Sequence, residues 1–294
     1  MRESILTTVL LPVALGIVML GLGLSLTVKD FTRVAVQPKA VLVALTCQVI
    51  LLPLICFGLV ELFALDPLYA VGMMLLAASP GGTVANLYSH LFGGDVALNV
   101  TLTAVNSVLS VITLPIVVNL SLTHFIGGGQ DIGLPADKVI QVFAIVLVPV
   151  ALGMLVRHFR QAFADRMDKP VRIFSAVVIT VVIVGAVIQE RDKLVDSFAA
   201  LGLITLAFSV VSLALGYWIP LLLKVERRQA IASGMEMGIH NSTLAITIAL
   251  TLLNNPPMSI PPAIYALVSF LVSAAFGALL ARSRPVSPVT AESG

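Results

Sequence analysis

Charge is scarce in this sequence. Asp, Glu, Lys and Arg make up 11% of its 294 residues, against about 25% in a soluble globular domain. That deficit excludes an ordinary water-exposed surface. The net charge is only +2, and no Lys/Arg run is interleaved with aromatic residues, which excludes a nucleic-acid partner. Cysteine is also sparse. Cys47 and Cys56 lie in one apolar stretch and read as small buried hydrophobes rather than a disulfide or a metal pair. Long polar linkers are missing too, so no soluble domain is inserted between the apolar segments.

What remains is hydrophobic: 59% of residues, with a mean hydropathy of +1.07. A helix crossing the hydrocarbon core needs roughly 20 mostly apolar residues. The sequence predicts an all-α polytopic membrane protein with nine transmembrane helices, near 5–28, 37–64, 67–92, 95–122, 134–157, 171–189, 197–223, 229–253 and 258–281. The first apolar run exceeds a signal-peptide core of roughly 7–15 residues and is expected to be a retained helix. Residues 1–281 are expected to form one transmembrane domain, and 282–294 a disordered cytoplasmic tail. Lys and Arg fall 13 to one side of the spans and 4 to the other. The rich side is expected to be cytoplasmic, with the N-terminus outside, the C-terminus inside and a multi-pass location in the plasma (inner) membrane. The absence of a soluble module leaves membrane lipid as surroundings and no obligate protein partner in view.

Two spans are interrupted. The middle of the third reads Ser79-Pro80-Gly81-Gly82-Thr83-Val84-Ala85-Asn86. Proline removes a backbone donor, and the two glycines add flexibility. The middle of the eighth reads Glu236-Met237-Gly238-Ile239-His240-Asn241-Ser242-Thr243. A central membrane carboxylate costs ~2.5–3.5 kcal/mol or more, so Glu236 is expected to meet a cation, a proton or a polar partner. An offset of five spans reverses insertion direction. The pair therefore suggests inverted repeats, about 5–122 against about 171–281, with 134–157 unpaired. Interrupted segments in matching halves point to a transporter binding site. Half-helix N-termini suit an anion, and the carbonyls of the other halves suit a cation. A protonated Glu236 tying two helices together is the structural alternative.

In the fourth span Asn99, Thr103, Asn106 and Ser110 recur on one helical face. Asn99 and Thr103 read as ion-site candidates, and Ser110 as an interhelical hydrogen-bonding group. Gln48 stands alone among apolar neighbours. Pro53, Pro115 and Pro149 read as kinks, and Tyr217 and Trp218 as an interfacial anchor. His90, His124 and His158 sit near span ends, where exposure is expected. Glu236 and His240 are four apart and would be neighbours on an intact helix, which opens a proton-binding alternative.

Ser79-Pro80-Gly81-Gly82-Thr83…Asn86, then Gly94-Asp95-Val96-Ala97-Leu98, with Glu236-x-Gly238-x-x-Asn241, resembles the signature of the bile acid:sodium symporter family, in its nine-span, bacterial-type form. The resemblance implies a core of spans two, three, four, seven, eight and nine, with the broken pair crossing, and a panel of spans one, five and six. It implies sodium as the coupling ion. Asn86, Asn99, Thr103 and Glu236 would form a first sodium site. Gln48, Glu236 and the carbonyls of Met237 and Ile239 would form a second, at which His240 stands in place of the usual glutamine. Ala85 and Asn99 stand where relatives often have serine. The resemblance also implies that a small organic anion docks at Gly82, Thr83 and Asn241, with Ser269 on the last span.

The expected function is sodium-coupled symport of that anion by alternating access. A proton-coupled transporter and an efflux carrier of related fold are the alternatives. An intramembrane hydrolase using Ser79 or Ser89 with His240 is disfavoured, because no Gly-x-Ser-x-Gly setting frames a nucleophile.

Overall fold

The computed structural model describes residues 11–127, 136–167 and 191–282, together with 170, 171, 173, 174 and 177. Apart from one isolated bridge, its regular elements are helical. Predicted span six, most of the Gly127-Gly128-Gly129 loop and the tail beyond Arg282 lie outside the described residues.

The helices follow from the apolar runs. α1 is Leu11–Ser25, and α2 runs Pro38–Leu62. The third span divides into α3, Pro67–Ala77, and α4, Thr83–Leu91. α5 is Val96–Phe125, α6 Ala136–Phe159 and α7 Arg191–Leu222. The eighth span divides into α8, Arg227–Gly238, and α9, Ser242–Leu252, and α10 is Pro256–Arg282. Among the described residues α2, α5, α10 and the Leu201–Leu222 part of α7 are long and apolar enough to cross a membrane. The third and eighth spans are each divided into two shorter helices by their breaks.

Helix starts follow local chemistry. Asp66 caps α3 through the Leu68 N–H at 2.9 Å, with Pro67 in the first turn. Asp95 caps α5 through the Leu98 N–H at 3.0 Å. The Asp95 carboxylate also accepts from Gln37 Nε2 at 3.3 Å, and its own N–H donates to the Arg228 carbonyl at 2.9 Å. One residue thus ties the start of α5 to the starts of α2 and α8.

α2 contains a π-helical stretch at Cys47–Leu51, around Gln48. Pro53 lacks the N–H that would bond the Val49 carbonyl, and a widened turn just before it absorbs the defect. A second π stretch, Ile248–Leu252, ends α9. Neither was expected from the hydropathy pattern. Tyr217, expected at an interface, is instead buried between α7 and α8, while Trp218 is exposed. Gly234 opens the space: a Cβ there would lie 3.3 Å from that of Tyr217. Cys56 is buried, its thiol 3.4 Å from the Met73 carbonyl, and both cysteines are free.

α1 packs chiefly on α6 among the described residues. Glycines let the two backbones approach: a Cβ on Gly153 would meet backbone atoms of Leu20, Gly23 and Leu24, and one on Gly23 would meet Val150. Close backbone approach through small residues is a common means of helix association in lipid.

Gly153→Leu should therefore force the helices apart and destabilise the protein by roughly 1–3 kcal/mol. Gly202→Ala, with open space around its α7 position, should be neutral or stabilising. Thermal unfolding in detergent checks the pair, and equal stability of both variants would contradict this packing.

Candidate functional site

The two broken spans meet at their breaks. Pro80 has no N–H to donate, and its carbonyl accepts from the Asn241 N–H at 2.8 Å. The Gly82 N–H donates to the Ile239 carbonyl at 2.7 Å. Gly81 and His240 form an isolated antiparallel bridge between these bonds. Backbone groups released by each unwound stretch are thus satisfied by the other, as unwound backbone at membrane depth requires. The antiparallel sense means that the two spans run in opposite directions through the crossing.

Four helix ends converge there: the C-terminal ends of α3 and α8, and the N-terminal ends of α4 and α9. Gly82 and Asn241 are the caps of the latter two, and the Asn241 side chain accepts from the Leu244 N–H at 3.1 Å. The first N–H groups of a helix have no partner within it, and Thr83, which opens α4, is exposed.

The glycines are needed for space rather than flexibility. Gly82 has φ −83°, available to any residue, but a Cβ would sit 3.2 Å from the His240 carbonyl oxygen. A Cβ on Gly81 would collide with the Glu236 carboxylate. The main chain at Gly81 therefore lies directly against that carboxylate.

Glu236 is fully buried. Its Oε2 accepts from Asn99 Nδ2 at 3.0 Å and from the Thr103 hydroxyl at 2.6 Å. Asn99 Nδ2 also lies 3.1 Å from the Ala232 carbonyl. With its amide turned this way, Asn99 Oδ1 has no donor. Glu236 Oε1 and the Asn86 Oδ1 of α4 are likewise buried and without a donor. These three side chains belong to α8, α5 and α4, which pack on one another. A buried polar oxygen left without a partner costs about 1–3 kcal/mol, more when charged. Others occur elsewhere among the described residues, and these three are set apart by lying on three mutually packed helices. Asn106 and Ser110 continue the polar face of α5 and are buried. Ser110, expected to bond another helix, donates at 2.9 Å to Ser107 of its own. Ala85 is buried and adds no side-chain oxygen.

The second group of predicted residues is arranged differently. Gln48 is buried in the π-helical turn of α2, with its Nε2 unpartnered. The Ile239 carbonyl already accepts from Gly82. Because α8 ends at Gly238, His240 is not a helical neighbour of Glu236. Its Nδ1 lies 3.3 Å from the Ser79 carbonyl, and its ring is stacked on Phe208 and edge-on to Tyr265, each at 5.5 Å. The Tyr265 hydroxyl donates to the Gly238 carbonyl at 2.8 Å, satisfying the end of α8. The Glu236–His240 pairing is thereby replaced by two separate environments. Phe208 and Tyr265 carried no signal in the sequence beyond being aromatic. Ser79 turns its hydroxyl to the Leu76 carbonyl at 2.7 Å rather than to His240. Ser269 is buried on α10, its hydroxyl 3.3 Å from the Ala266 carbonyl. The next residue, Phe270, stacks on Tyr88 of α4.

A family model described as the Sodium Bile acid symporter family matches residues 4–197. The "Uncharacterized sodium-dependent transporter YocS" of Bacillus subtilis is 26% identical over 252 residues, covering 86% of this chain and 77% of that protein. The "Probable sodium/metabolite cotransporter BASS1, chloroplastic" of Arabidopsis thaliana is 26% identical over 281 residues, 93% of this chain and 67% of its own length. Sodium/bile acid cotransporter 4 of Homo sapiens is 39% identical over 103 residues, 35% of this chain and 24% of the human protein.

Thr103→Val should remove the shortest hydrogen bond to the buried carboxylate and cost about 1–3 kcal/mol. In Glu236→Gln the same change should cost less, because the acceptor is no longer a carboxylate. A double-mutant cycle on thermal unfolding measures the coupling. Strict additivity would mean that the hydroxyl does not act on Glu236.

Proposed function

The chain belongs to the sodium bile acid symporter family, whose members are transporters and not enzymes, and on that footing we propose that it carries a small organic anion across the plasma membrane in symport with sodium. The observation that carries the reading is a trio of buried oxygens that accept no side-chain hydrogen bond, Glu236 Oε1, Asn99 Oδ1 and Asn86 Oδ1. Sodium is a hard cation that takes oxygen ligands. These oxygens have acceptor capacity that no side chain uses, which is what such a cation requires. Thr103 belongs to the same group, since its hydroxyl touches the other oxygen of Glu236. Sodium entering there would neutralise the carboxylate and draw α4, α5 and α8 together.

The anion would meet the opposite chemistry. The α4 and α9 N-termini bring partial positive charge to Gly82, Thr83 and Asn241. The Gly82 and Asn241 N–H groups are held by the Ile239 and Pro80 carbonyls, so the anion would meet the exposed first turn of α4 at Thr83 and the Asn241 side chain. Ser269 would join them by turning its hydroxyl away from its own helix. Cation and anion would share one crossover, so binding of either orders backbone that the other uses. That shared element supports coupling.

The arrangement favours one sodium over two. At a second site Gln48 and the carbonyls of Met237 and Ile239 would have to act with His240. The His240 ring is engaged by Phe208, Tyr265 and the Ser79 carbonyl, and imidazole nitrogen is a poor ligand for a hard cation. Those contacts also leave the proton-coupled alternative without a Glu236–His240 pair. The opposed directions of the two spans at the crossing support inverted repeats on either side of α6 in a nine-span chain. The close α1–α6 pair supports a panel against which the remaining helices rock. The clustering of Lys and Arg supports an outside N-terminus and a cytoplasmic C-terminus.

Uptake of labelled organic anions into proteoliposomes tests the reading: an inward sodium gradient should drive it, and a pH gradient without sodium should not. Glu236→Ala should abolish sodium-driven uptake while the protein remains monodisperse. It should also erase the thermal stabilisation by sodium, which for the unmodified protein is about 2.7 kcal/mol at a hundredfold excess over Kd. Normal uptake by that variant would refute the assigned role.

His240→Gln tests the ion count. Sodium dependence that is hyperbolic in the natural protein should become sigmoidal if an amide opens the second site. A natural protein already sigmoidal in sodium would contradict the single-ion reading.

A further inference from the structure

An apolar groove of about 420 Å³ runs along the outside of the bundle between α2 and the end of α7. Leu42, Thr46, Cys47, Ile50 and Leu54 line one wall, and Ile219 and Leu223 the other. An apolar cavity of ~150 Å³ holds a benzene ring, so this one takes a chain several times larger. From Leu42 to Leu54 is 12 residues along α2, about 18 Å at 1.5 Å per residue. One leaflet contributes about half of a ~30 Å hydrocarbon core, so the groove is as long as one leaflet is deep. The π-helical turn at Cys47–Leu51 widens α2 where the groove runs.

Two lysines flank one end of the lining in sequence: Lys39 stands one turn before Leu42, and Lys224 directly follows Leu223. Their neighbours Ala40, Val41 and Val225 share one buried cluster, which brings the two lysines to the same end. Both lysines are exposed, and neither makes an ion pair within 4.0 Å among the described residues. Lys224 also holds a left-handed backbone, φ 60°. It closes α7 with its N–H on Leu221 and the Val225 N–H on Pro220, at 2.9 and 2.8 Å. Glycine is the inexpensive residue in that position. A lysine there holds its backbone next to the lining residue Leu223 at some conformational cost.

We infer that this groove binds one anionic glycerophospholipid, with an acyl chain along Leu42–Leu54 and the phosphate between Lys39 and Lys224. The anion supplies what two unpaired lysines lack, and the chain fills an apolar trough that water would otherwise meet at the membrane surface. The site is separate from the crossover, although Cys47 in its floor adjoins Gln48. It would connect membrane composition to the α2 turn.

Native mass spectrometry of the delipidated full chain, titrated with dioleoylphosphatidylglycerol or dioleoylphosphatidylcholine, tests the inference. One phosphatidylglycerol should bind in preference to phosphatidylcholine. Lys39→Ala and Lys224→Ala should each weaken it roughly fivefold and together remove the preference. Thr46→Trp, which blocks the trough, should reduce binding of both lipids. The lysines are surface groups, so their variants keep the test valid should Thr46→Trp fail to fold. Equal binding of the two lipids, or a preference untouched by the double lysine substitution, would overturn the site.

Discussion

Two backbone hydrogen bonds, Asn241 N–H to Pro80 and Gly82 N–H to Ile239, make the rest of the site possible. A polypeptide can unwind inside a bilayer only if something replaces the lost helical bonds. Here two unwound stretches replace them for each other, and neither would be tolerable alone. Proline supplies the acceptor that cannot also be a donor. Asparagine supplies both the donor and the cap that starts the next half-helix. The bridge needs two chains passing closely in opposite directions, which accounts for glycine at positions 81 and 82 without any appeal to unusual φ.

The buried carboxylate depends on the same contact. Gly81 has no side chain, so Glu236 can lie flat against the passing main chain, while Asn99 and Thr103 hold one of its oxygens from the far side. The other oxygen accepts no side-chain hydrogen bond and faces the passing main chain at Gly81. A binding site for an ion must be incompletely satisfied without it, and on the sodium proposal the oxygens of Asn86, Asn99 and Glu236 would meet that condition.

Much of this was legible in the residues. Apolar runs located the helices, because length and hydropathy are what a bilayer selects. Pro80-Gly81-Gly82 located the first break. The second break, which has no proline, was marked only by a polar run in an apolar span. Side-chain neighbours are less visible in the residues. Glu236 and His240 look like neighbours if the helix continues, but it stops at Gly238, and the last two residues of the interval turn the imidazole toward Phe208 and Tyr265. The π-helical turn around Gln48 has no hydropathic signature, and only Pro53, four residues past Val49, hints at it. Tyr217 was read as interfacial from its proximity to a span end, whereas a glycine on the next helix, Gly234, makes room to bury it. Each failure concerns which neighbour a side chain meets, and that is set by helix crossings that periodicity does not encode.

The main-chain character of the crossover has a further consequence. Its bonds ask nothing of the His240 side chain, whose backbone alone takes part in the bridge with Gly81. Position 240 can therefore change chemistry without dismantling the fold, provided the ring finds partners. In this chain it has them: a stacked Phe208, an edge-on Tyr265 and the Ser79 carbonyl. Tyr265 is itself anchored by the end of α8. On the single-sodium proposal, position 240 would bear on the ion count through its side chain, while the fold of the crossing rests on the backbone beneath it.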